Sequence, residues 1–197
     1  MRSLVAGIDE AGRGPLAGPV TAGCVILPPD FPVEMLNDSK KLSEKKRIAA
    51  EEQIKKYACW GIGVIDHTII DEINILQATL KAMKVAFDMA VMKLPDWCKK
   101  NSLVLPDVSQ MNAVVDGIFV PEINCLARSE VKADAKFPCV MAASIIAKVG
   151  RDRIMCEYDK MYPGYGYASH KGYPTPAHKE ACRRLGPSPI QRLSFKY

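Results

Sequence analysis

The sequence predicts an α/β fold in which a mixed β-sheet is flanked by helices, with a small helical extension at the C-terminus. Two apolar runs, at 3–9 and 19–27, have the length of strands and are joined by a glycine-rich segment, which is typical of a hairpin. Later strand-like runs alternate with helical patterns. The tail after residue 160 contains only short helical patterns, which favours an extension over a second sheet domain.

The first half of the chain contains two predicted helices and a third strand. Ser43 is a suitable N-cap for the first helix, and residues 59–65 (CWGIGVI) have the composition of a strand. The second helix is predicted to start near Thr68, where Asp71 three residues later resembles a capping box. Its apolar residues recur in steps of three and four until Pro95, which is expected to end it.

The second half alternates in the same way. Residues 112–120 predict a strand that ends near Asp116, and residues 129–134 predict a further strand. A long helix is expected over 140–162 and a short one over 179–185. We therefore expect one compact unit, made of a main α/β domain and the helical extension. The bounds predicted for these two parts are 1–160 and 161–197.

Composition and charge indicate an ordinary globular protein. The 197 residues carry a net charge of +5, which permits a polyanionic partner without requiring one. Seven cysteines are scattered without a CxxC or Cys/His metal spacing, so we expect reduced thiols and a cytoplasmic protein. The sequence has neither a signal-like apolar region at its start nor an apolar run long enough to span a membrane.

Four acidic residues lie at or just after strand-like runs: Asp9, Glu10, Asp116 and Asp134. Strand ends are where loops converge on a ligand crevice in an open α/β sheet. Carboxylates brought together repel unless cations bind or their pKa values rise. Mg²⁺ prefers such oxygen ligands, and two ions roughly 3.5–4 Å apart can promote phosphodiester hydrolysis. A metal-dependent hydrolase is one interpretation.

These acids also have a purely structural interpretation, as polar strand ends and turn residues. Asp116 precedes Gly117, and Asp-Gly is a common turn dipeptide. Successive residues of a strand point to opposite faces, so Asp9 and Glu10 cannot both face a site within a regular strand. Glu10 is therefore expected where the strand ends or bulges.

Glycine-rich and basic segments supply candidate substrate contacts. AGRGPLAGP (11–19) leaves backbone groups uncovered around Arg13, either as a plain hairpin loop or as a surface that approaches a ligand hydroxyl or phosphate. Lys40 precedes the first helix, and Lys171 lies close to Tyr173. Basic residues with an aromatic neighbour suit a phosphate backbone and a stacked sugar, although such clusters are more often solvated surface. Lys148 and Arg151 fall on the long predicted helix.

Several long motifs occur in one order across nearly the whole chain. They are DEAGRGPLAGPV, LNDSKKLSEKKR, DEINILQATLKAM, VVDG, KADAK, AASIIAKVGRDR and HKGYPTPAH. The series resembles bacterial ribonuclease HII, of the type 2 ribonuclease H family. The resemblance implies a ribonuclease H-like sheet with a C-terminal helical extension. It also implies an enzyme that hydrolyses RNA paired with DNA and single ribonucleotides in duplex DNA, leaving 3′-hydroxyl and 5′-phosphate ends.

The resemblance assigns roles to residues. It implies two Mg²⁺ or Mn²⁺ ions held by Asp9, Glu10, Asp116 and Asp134. Gly12, Arg13 and Gly14 resemble the element whose backbone reads the ribose 2′-hydroxyl, and Tyr173 resembles the tyrosine that packs on the next deoxyribose. Lys40 and Lys171 fall in regions that contact phosphates. The chain departs from the usual pattern at Ala133, in the longer segment 96–110 and in IFVPEIN after Gly117.

The resemblance also implies partners for the chain. The expected substrates are RNA–DNA hybrids and DNA duplexes that contain ribonucleotides, bound by a monomer. The terminal QRLSF (191–195) superficially resembles a peptide that binds a sliding clamp, but the family often has a similar ending that belongs to the fold. Two other functions stay open: a hybrid nuclease that needs a run of ribonucleotides, and a non-catalytic nucleic-acid-binding module.

Overall fold

The computed structural model describes residues 4–36 and 42–196 and contains a five-stranded sheet with helices on both faces. The strands are β1 (Val5–Ala11), β2 (Val20–Ile26), β3 (Cys59–Ile65), β4 (Asn112–Asp116) and β5 (Leu126–Glu130). The helices are α1 (Glu44–Tyr57), α2 (His67–Lys100), α3 (Pro138–Met161), α4 (Tyr167–His170) and α5 (Pro176–Leu185). Helix α2 is interrupted at Asn74, whose backbone is not helical. The predicted α/β class is confirmed.

The sheet is mixed, with the strand order β3-β2-β1-β4-β5. Strand β2 pairs antiparallel with both β1 and β3, whereas β4 runs parallel to β1 and β5 runs parallel to β4. Ile8 pairs with Val115, so Asp9 and Asp116, one residue further on, come level on adjacent strands. Because both strands run in the same direction, their carboxyl ends share one edge of the sheet.

Two helical layers cover the sheet. One apolar core lies between the sheet and α2, and includes Ile8, Phe87 and Val115. The other lies between the sheet and helices α1 and α3. A Cβ atom on Gly23 would lie 2.3 Å from the carbonyl oxygen of Ala143, so α3 packs directly on the backbone of β2. This close approach places the side chains of α3 within reach of the neighbouring strand β1.

The predicted start of α2 is wrong by two residues. The N-cap is Asp66 rather than Thr68, because the Asp66 carboxylate accepts hydrogen bonds from the amide of Ile69 at 3.0 Å and the hydroxyl of Thr68 at 2.6 Å. Asp71 therefore does not complete a capping box. Its carboxylate instead accepts bonds from the amides of residues 193–194, at 2.8 and 3.0 Å.

The predicted end of α2 is also wrong, since the helix continues through Pro95 to Lys100. A proline inside a helix removes one hydrogen bond, and packing on both sides of it can offset that loss. Leu94 is fully buried, and the indole of Trp97 donates a hydrogen bond of 2.8 Å to the carbonyl oxygen of Tyr57. The longer segment 96–110 is thus helical over its first part, up to Lys100.

The later elements are shifted toward the N-terminus relative to their predictions. The strand predicted at 129–134 is β5, which starts at Leu126 and ends at Glu130. Lys132 adopts a left-handed conformation with φ of 57°, which breaks the strand, and Asp134 lies in a 3-10 turn, Ala133–Ala135. Helices α3 and α5 each begin two or three residues before their predicted starts, with a proline in the first turn.

The C-terminal extension packs on the main domain through a small cluster of buried side chains. Ala17, Met155, Tyr167 and Ile190 form this cluster, which joins the loop after β1, α3 and the extension. The seven cysteines are free thiols, five of them buried. Within the described residues, no helix has the length and apolar character needed to cross a membrane.

Candidate active site

A cleft of about 280 Å³ opens where β1 and β4 end. It contains three of the four predicted acids together with the glycine-rich loop and the predicted tyrosine. The lining residues are Asp9, Glu10, Ala11, Gly12, Arg13, Gly14, Arg47, Asp116, Ser144, Lys148 and Tyr173.

Asp9 is the most enclosed acid of the cleft, with 5% of its surface exposed. One carboxylate oxygen accepts a hydrogen bond of 2.7 Å from the amide of Glu10, and the hydroxyl of Ser144 on α3 donates to the same carboxylate. Burial raises the pKa of Asp9 well above its ordinary value, and the charges of Glu10 and Asp116 raise it further. In the absence of a bound cation, the surroundings of Asp9 thus oppose its ionisation.

Glu10 reaches the same cleft although β1 is regular at this point. The pairing with β2 continues without a bulge through Glu10 to Ala11, so this described segment has no bulge and the strand ends one residue after Glu10. The pairing with β4, by contrast, stops at Ile8, and β4 itself ends at Asp116. The edge of β1 beyond Ile8 is therefore open, and Glu10 lines the cleft from there. Burial raises the pKa of Glu10, the Arg13 guanidinium 3.5 Å away opposes the rise, and Asp116 adds to it.

Asp116 and Asp134 are linked through one turn but occupy different positions. A carboxylate oxygen of Asp116 accepts a hydrogen bond of 2.7 Å from the amide of Ala133. Asp134, the next residue, is 6% exposed and is not part of the cleft lining. The structure therefore brings three predicted acids together and places the fourth beside them, because its segment is a tight turn rather than a strand.

The acids of the cleft suit a hard divalent cation. Within residues 4–36 and 42–196, no three acidic, histidine or cysteine side chains form a preformed metal site. Asp9, Glu10 and Asp116 nevertheless offer oxygen ligands. The pKa of Asp9 is raised first by burial and then by the charges of Glu10 and Asp116, and a bound cation would act in the opposite direction. These three carboxylates are the groups that would hold a metal.

The glycine-rich loop and Tyr173 lie side by side. Gly12 has φ of 95°, a conformation that favours glycine, and a Cβ on it would lie 2.0 Å from the Arg151 side chain. A Cβ on Gly14 would lie 3.8 Å from the ring of Tyr173, so the ring is in ordinary contact distance of the loop. Tyr173 is 40% exposed and faces the cleft.

Apart from Ala11, three residues of the lining were not predicted as site residues or were noted only as basic residues: Arg47, Ser144 and Lys148. Ser144 is one of them, and the sequence carries no signal for it. The Lys148 ammonium lies 2.7 Å from the Asp152 carboxylate, and the Arg47 guanidinium lies 3.9 Å from the same carboxylate. Asp152 therefore holds two cations from different helices at the border of the cleft. For Arg47 and Lys148, the sequence signal was the basic composition of the segments that contain them.

Lys171, one of the two predicted phosphate contacts, is not among the residues that line this cleft. The Lys171 ammonium donates to the carbonyl oxygen of Ala168 and lies 3.6 Å from the sulfur of Cys156, so it is held by its own loop. Lys40 lies outside the described residues.

Comparisons with known proteins identify the family to which the whole chain is similar. Residues 6–197 match the family model described as Ribonuclease HII. A ribonuclease HII of Treponema denticola is 52% identical over 98% of this chain and 98% of that protein.

Two solved structures have the same fold over most of their length. The ribonuclease HII of Archaeoglobus fulgidus in its complex with PCNA has a TM-score of 0.70 at 26% identity, covering 98% of this chain and 96% of that one. The ribonuclease H2 of Pyrococcus horikoshii has a TM-score of 0.69 at 28% identity, covering 98% and 94%. The predicted ribonuclease H-like sheet is thereby confirmed. Since the match spans nearly the whole chain, this protein belongs to the ribonuclease HII family, metal-dependent endonucleases that cleave the RNA of RNA–DNA hybrids.

Proposed function

We propose that this endonuclease, besides cleaving RNA in hybrids, incises duplex DNA on the 5′ side of a single embedded ribonucleotide and leaves 3′-hydroxyl and 5′-phosphate ends. The observation that carries the proposal is the shared cleft. Carboxylates suited to metal-assisted hydrolysis and a backbone loop suited to a sugar hydroxyl line the same 280 Å³ space. The bond to be cut and the ribose beside it would therefore be bound together.

The acids are assigned to metal binding. Asp9, Glu10 and Asp116 would hold the ions from the cleft, and Asp134 completes the set by resemblance to the family. Two bound Mg²⁺ or Mn²⁺ ions would lower the pKa of the attacking water and stabilise the leaving 3′-oxygen. The contribution of the chain is to keep these carboxylates close together, which Ser144 supports by its hydrogen bond to Asp9.

Substrate selection is assigned to the other side of the cleft. The 2′-hydroxyl is the group that distinguishes a ribonucleotide from a deoxyribonucleotide. Backbone groups of residues 12–14 would bond to it, and the exposed ring of Tyr173 would pack on the following deoxyribose. The cationic side chains of Arg47 and Lys148 line the cleft where a phosphate of the substrate would lie. Lys40 and Lys171 would contact other phosphates of the nucleic-acid backbone.

Incision of a defined duplex tests the function. The substrate is an end-labelled DNA duplex with one ribonucleotide, incubated with Mg²⁺ and, separately, with Mn²⁺. We expect a single nick on its 5′ side, with ends that a polymerase can extend and a ligase can seal. A comparison with four consecutive ribonucleotides separates this function from that of a nuclease which needs a run. Absence of incision in both metals by folded protein would refute the proposal.

Variants of the acids test their assignment. We expect Asp116→Asn and Asp134→Asn each to lower turnover by more than about 100-fold, since removing even an indirect support of a metal ligand costs about 10–100-fold. Asp88→Asn is the matched control, because Asp88 is an exposed residue of α2 that pairs with Lys84. Near-normal turnover of the Asp134→Asn variant would show that Asp134, which lies outside the cleft lining, is not a catalytic residue.

The remaining expectations concern partners and location. A monomeric state stays a prediction, and so does a cytoplasmic location, which the free thiols support. Contact with a sliding clamp through residues 191–195 is a separate prediction, and the PCNA complex of the Archaeoglobus relative is compatible with it. In this chain the amides of Leu193 and Ser194 donate to the Asp71 carboxylate, and the Leu193 side chain is exposed.

A further inference from the structure

Two arginines are buried directly beneath the cleft. Arg151 on α3 is 1% exposed, and Arg192 in the C-terminal segment is 0% exposed. Within the described parts of the chain, neither guanidinium forms an ion pair with a carboxylate, and the hydrogen bonds of both go to main-chain carbonyl oxygens. Burial lowers the pKa of Arg151 to about 10 and that of Arg192 to about 9, the latter also because Arg151 is near. Both are cationic at neutral pH.

Arg192 binds the glycine-rich loop from below. One terminal nitrogen donates to the carbonyl oxygen of Gly12 at 2.7 Å, and the other donates to that of Arg13 at 3.0 Å. Further bonds join it to the carbonyl oxygens of Gly18 at 2.9 Å and Pro19 at 3.0 Å. A single planar side chain thus fixes the two consecutive peptide groups that follow Gly12 and Arg13.

The orientation of these peptide groups has a direct consequence. The described peptide bonds are all trans, so each N–H points away from the carbonyl oxygen of the same group. The amides of Arg13 and Gly14 therefore point away from the buried guanidinium, on the exposed side where both residues line the cleft. Within the described residues neither amide donates a hydrogen bond. They are two free donors held side by side.

Arg151 connects this loop to the segment that carries the tyrosine. Its guanidinium donates to the carbonyl oxygens of Pro19 at 2.8 Å, Ala17 at 3.1 Å and Lys171 at 2.9 Å. It also lies 5.9 Å from the ring centre of Tyr173. The two arginines together join the glycine-rich loop, the tyrosine loop and the C-terminal segment.

Two neighbouring buried cations are costly, and apolar side chains of similar size would avoid that cost. What such side chains cannot provide is the set of donors that orients consecutive carbonyl groups. We propose that Arg192, supported by Arg151, is a positioning residue that turns the amides of Arg13 and Gly14 toward the 2′-hydroxyl of the ribonucleotide. The inference rests on the proposed function, in which this loop reads the ribose.

The test is a pair of binding measurements on Arg192→Lys, which keeps the charge but lacks the planar fork of donors. Two duplexes are compared, identical except that one contains a single ribonucleotide, without divalent metal so that neither is cleaved. Wild type is expected to bind the ribonucleotide duplex about 3- to 10-fold more tightly, the range of one or two net hydrogen bonds. In Arg192→Lys this ratio should fall close to one, with affinity for the all-DNA duplex within about twofold of wild type.

The ratio separates positioning from a merely structural role. A variant that only lowers the folded fraction weakens both affinities equally and leaves the ratio unchanged. Arg184→Lys is the matched control, because Arg184 is an exposed residue of α5 that bonds to the carbonyl oxygen of Gly164. A wild-type ratio retained in folded Arg192→Lys overturns the assignment of Arg192 alone. A wild-type ratio of one, together with no incision, overturns the proposed function itself.

A measurement on wild type keeps the inference testable if Arg192→Lys does not fold. Hydrogen exchange of the Arg13 and Gly14 amides is expected to be fast in the free protein and at least about tenfold slower in the complex with the ribonucleotide duplex. The all-DNA duplex should leave it fast. Slow exchange of both amides in the free protein, or equal protection by both duplexes, would overturn the proposed orientation.

Discussion

Asp9 is placed where the fold opposes its ionisation. Its folded pKa lies above its unfolded value, chiefly because of burial and then because of Glu10 and Asp116. The stability that it contributes is therefore full below its unfolded pKa of about 4 and is lost as the pH rises through the folded pKa. At neutral pH the Asp9 carboxyl group therefore opposes folding of the metal-free protein.

Asp9→Asn should consequently stabilise the metal-free protein at neutral pH while it abolishes turnover. The amide oxygen can still accept the bonds from Glu10 and Ser144, so the main change is the removal of a carboxyl group whose ionisation the fold opposes. We expect a gain of about 1 kcal/mol, which corresponds to a rise in Tm of about 2–4 °C for a chain of this size. Thermal unfolding followed by circular dichroism measures it.

The pH and metal dependence provide the controls for Asp9→Asn. The gain should vanish below about pH 4, where the wild-type carboxyl is itself neutral. Added Mg²⁺ or Mn²⁺ should raise the Tm of wild type more than that of the variant, because a ligand that binds only the folded state stabilises it. A lower Tm for Asp9→Asn at neutral pH without metal would contradict this account.

Residues of the site were predictable where chemistry and local pattern coincide. Asp9, Glu10 and Asp116 are acids at strand ends, and the sequence shows both properties. Ser144 is an ordinary helix residue until the close packing of α3 on Gly23 brings it to β1. The sequence likewise carried no signal for the hydrogen bonds of Arg192, because its partners lie 173 to 180 positions earlier in the chain.

At the scale of elements, α2 shows how tertiary contacts override local signals. Asp71 had the spacing of a capping box, yet its carboxylate binds the C-terminal segment. Pro95 had the character of a helix end, yet α2 continues past it to Lys100. Strand β5 lacks an apolar alternation altogether and is defined by its pairing with β4. Local sequence patterns contain no information about pairing and packing partners that are distant in the chain.

Asp71→Ala should loosen the C-terminal segment from α2. Burial opposes ionisation of Asp71, but the hydrogen bonds from Ser194 and Leu193 outweigh it and lower the pKa. We expect a loss of about 1–2 kcal/mol, as for removal of a helix cap, and a fall in Tm of roughly 2–8 °C. The effect should be full at neutral pH and disappear as the pH falls through the folded pKa, because protonation removes the charge that accepts these bonds.

The matched control for Asp71→Ala is Asp96→Ala, since Asp96 is an exposed residue near the other end of the same helix. Its Tm is expected to stay within about 1 °C of wild type, as surface substitutions away from special contacts usually have small effects. Equal effects of the two substitutions across the pH range would show that the contact with residues 193–194 contributes no stability.

At the scale of the whole molecule, the main domain and the extension share their interior. Ala17 from the main domain is buried in one cluster with Tyr167 and Ile190 of the extension. Leu16 donates its amide to the carbonyl oxygen of Gly172 and accepts from the amide of Arg192, both at 2.8 Å. The glycine-rich loop is thus held by hydrogen bonds to two segments of the extension, the one at Gly172 and the C-terminal one at Arg192.

The two parts should accordingly unfold together. Trp60 and Trp97, the two tryptophans, report on the main domain, and hydrogen exchange of peptides from 167–192 reports on the extension. In urea titrations at equilibrium we expect both probes to give the same midpoint, as a two-state transition requires. A chain that ends at residue 160 is expected to lack this transition, because Ala17 and the carbonyl groups that bind Arg192 would lose their partners. Loss of protection in 167–192 at a lower urea concentration than the fluorescence change would instead identify the extension as a separately unfolding part.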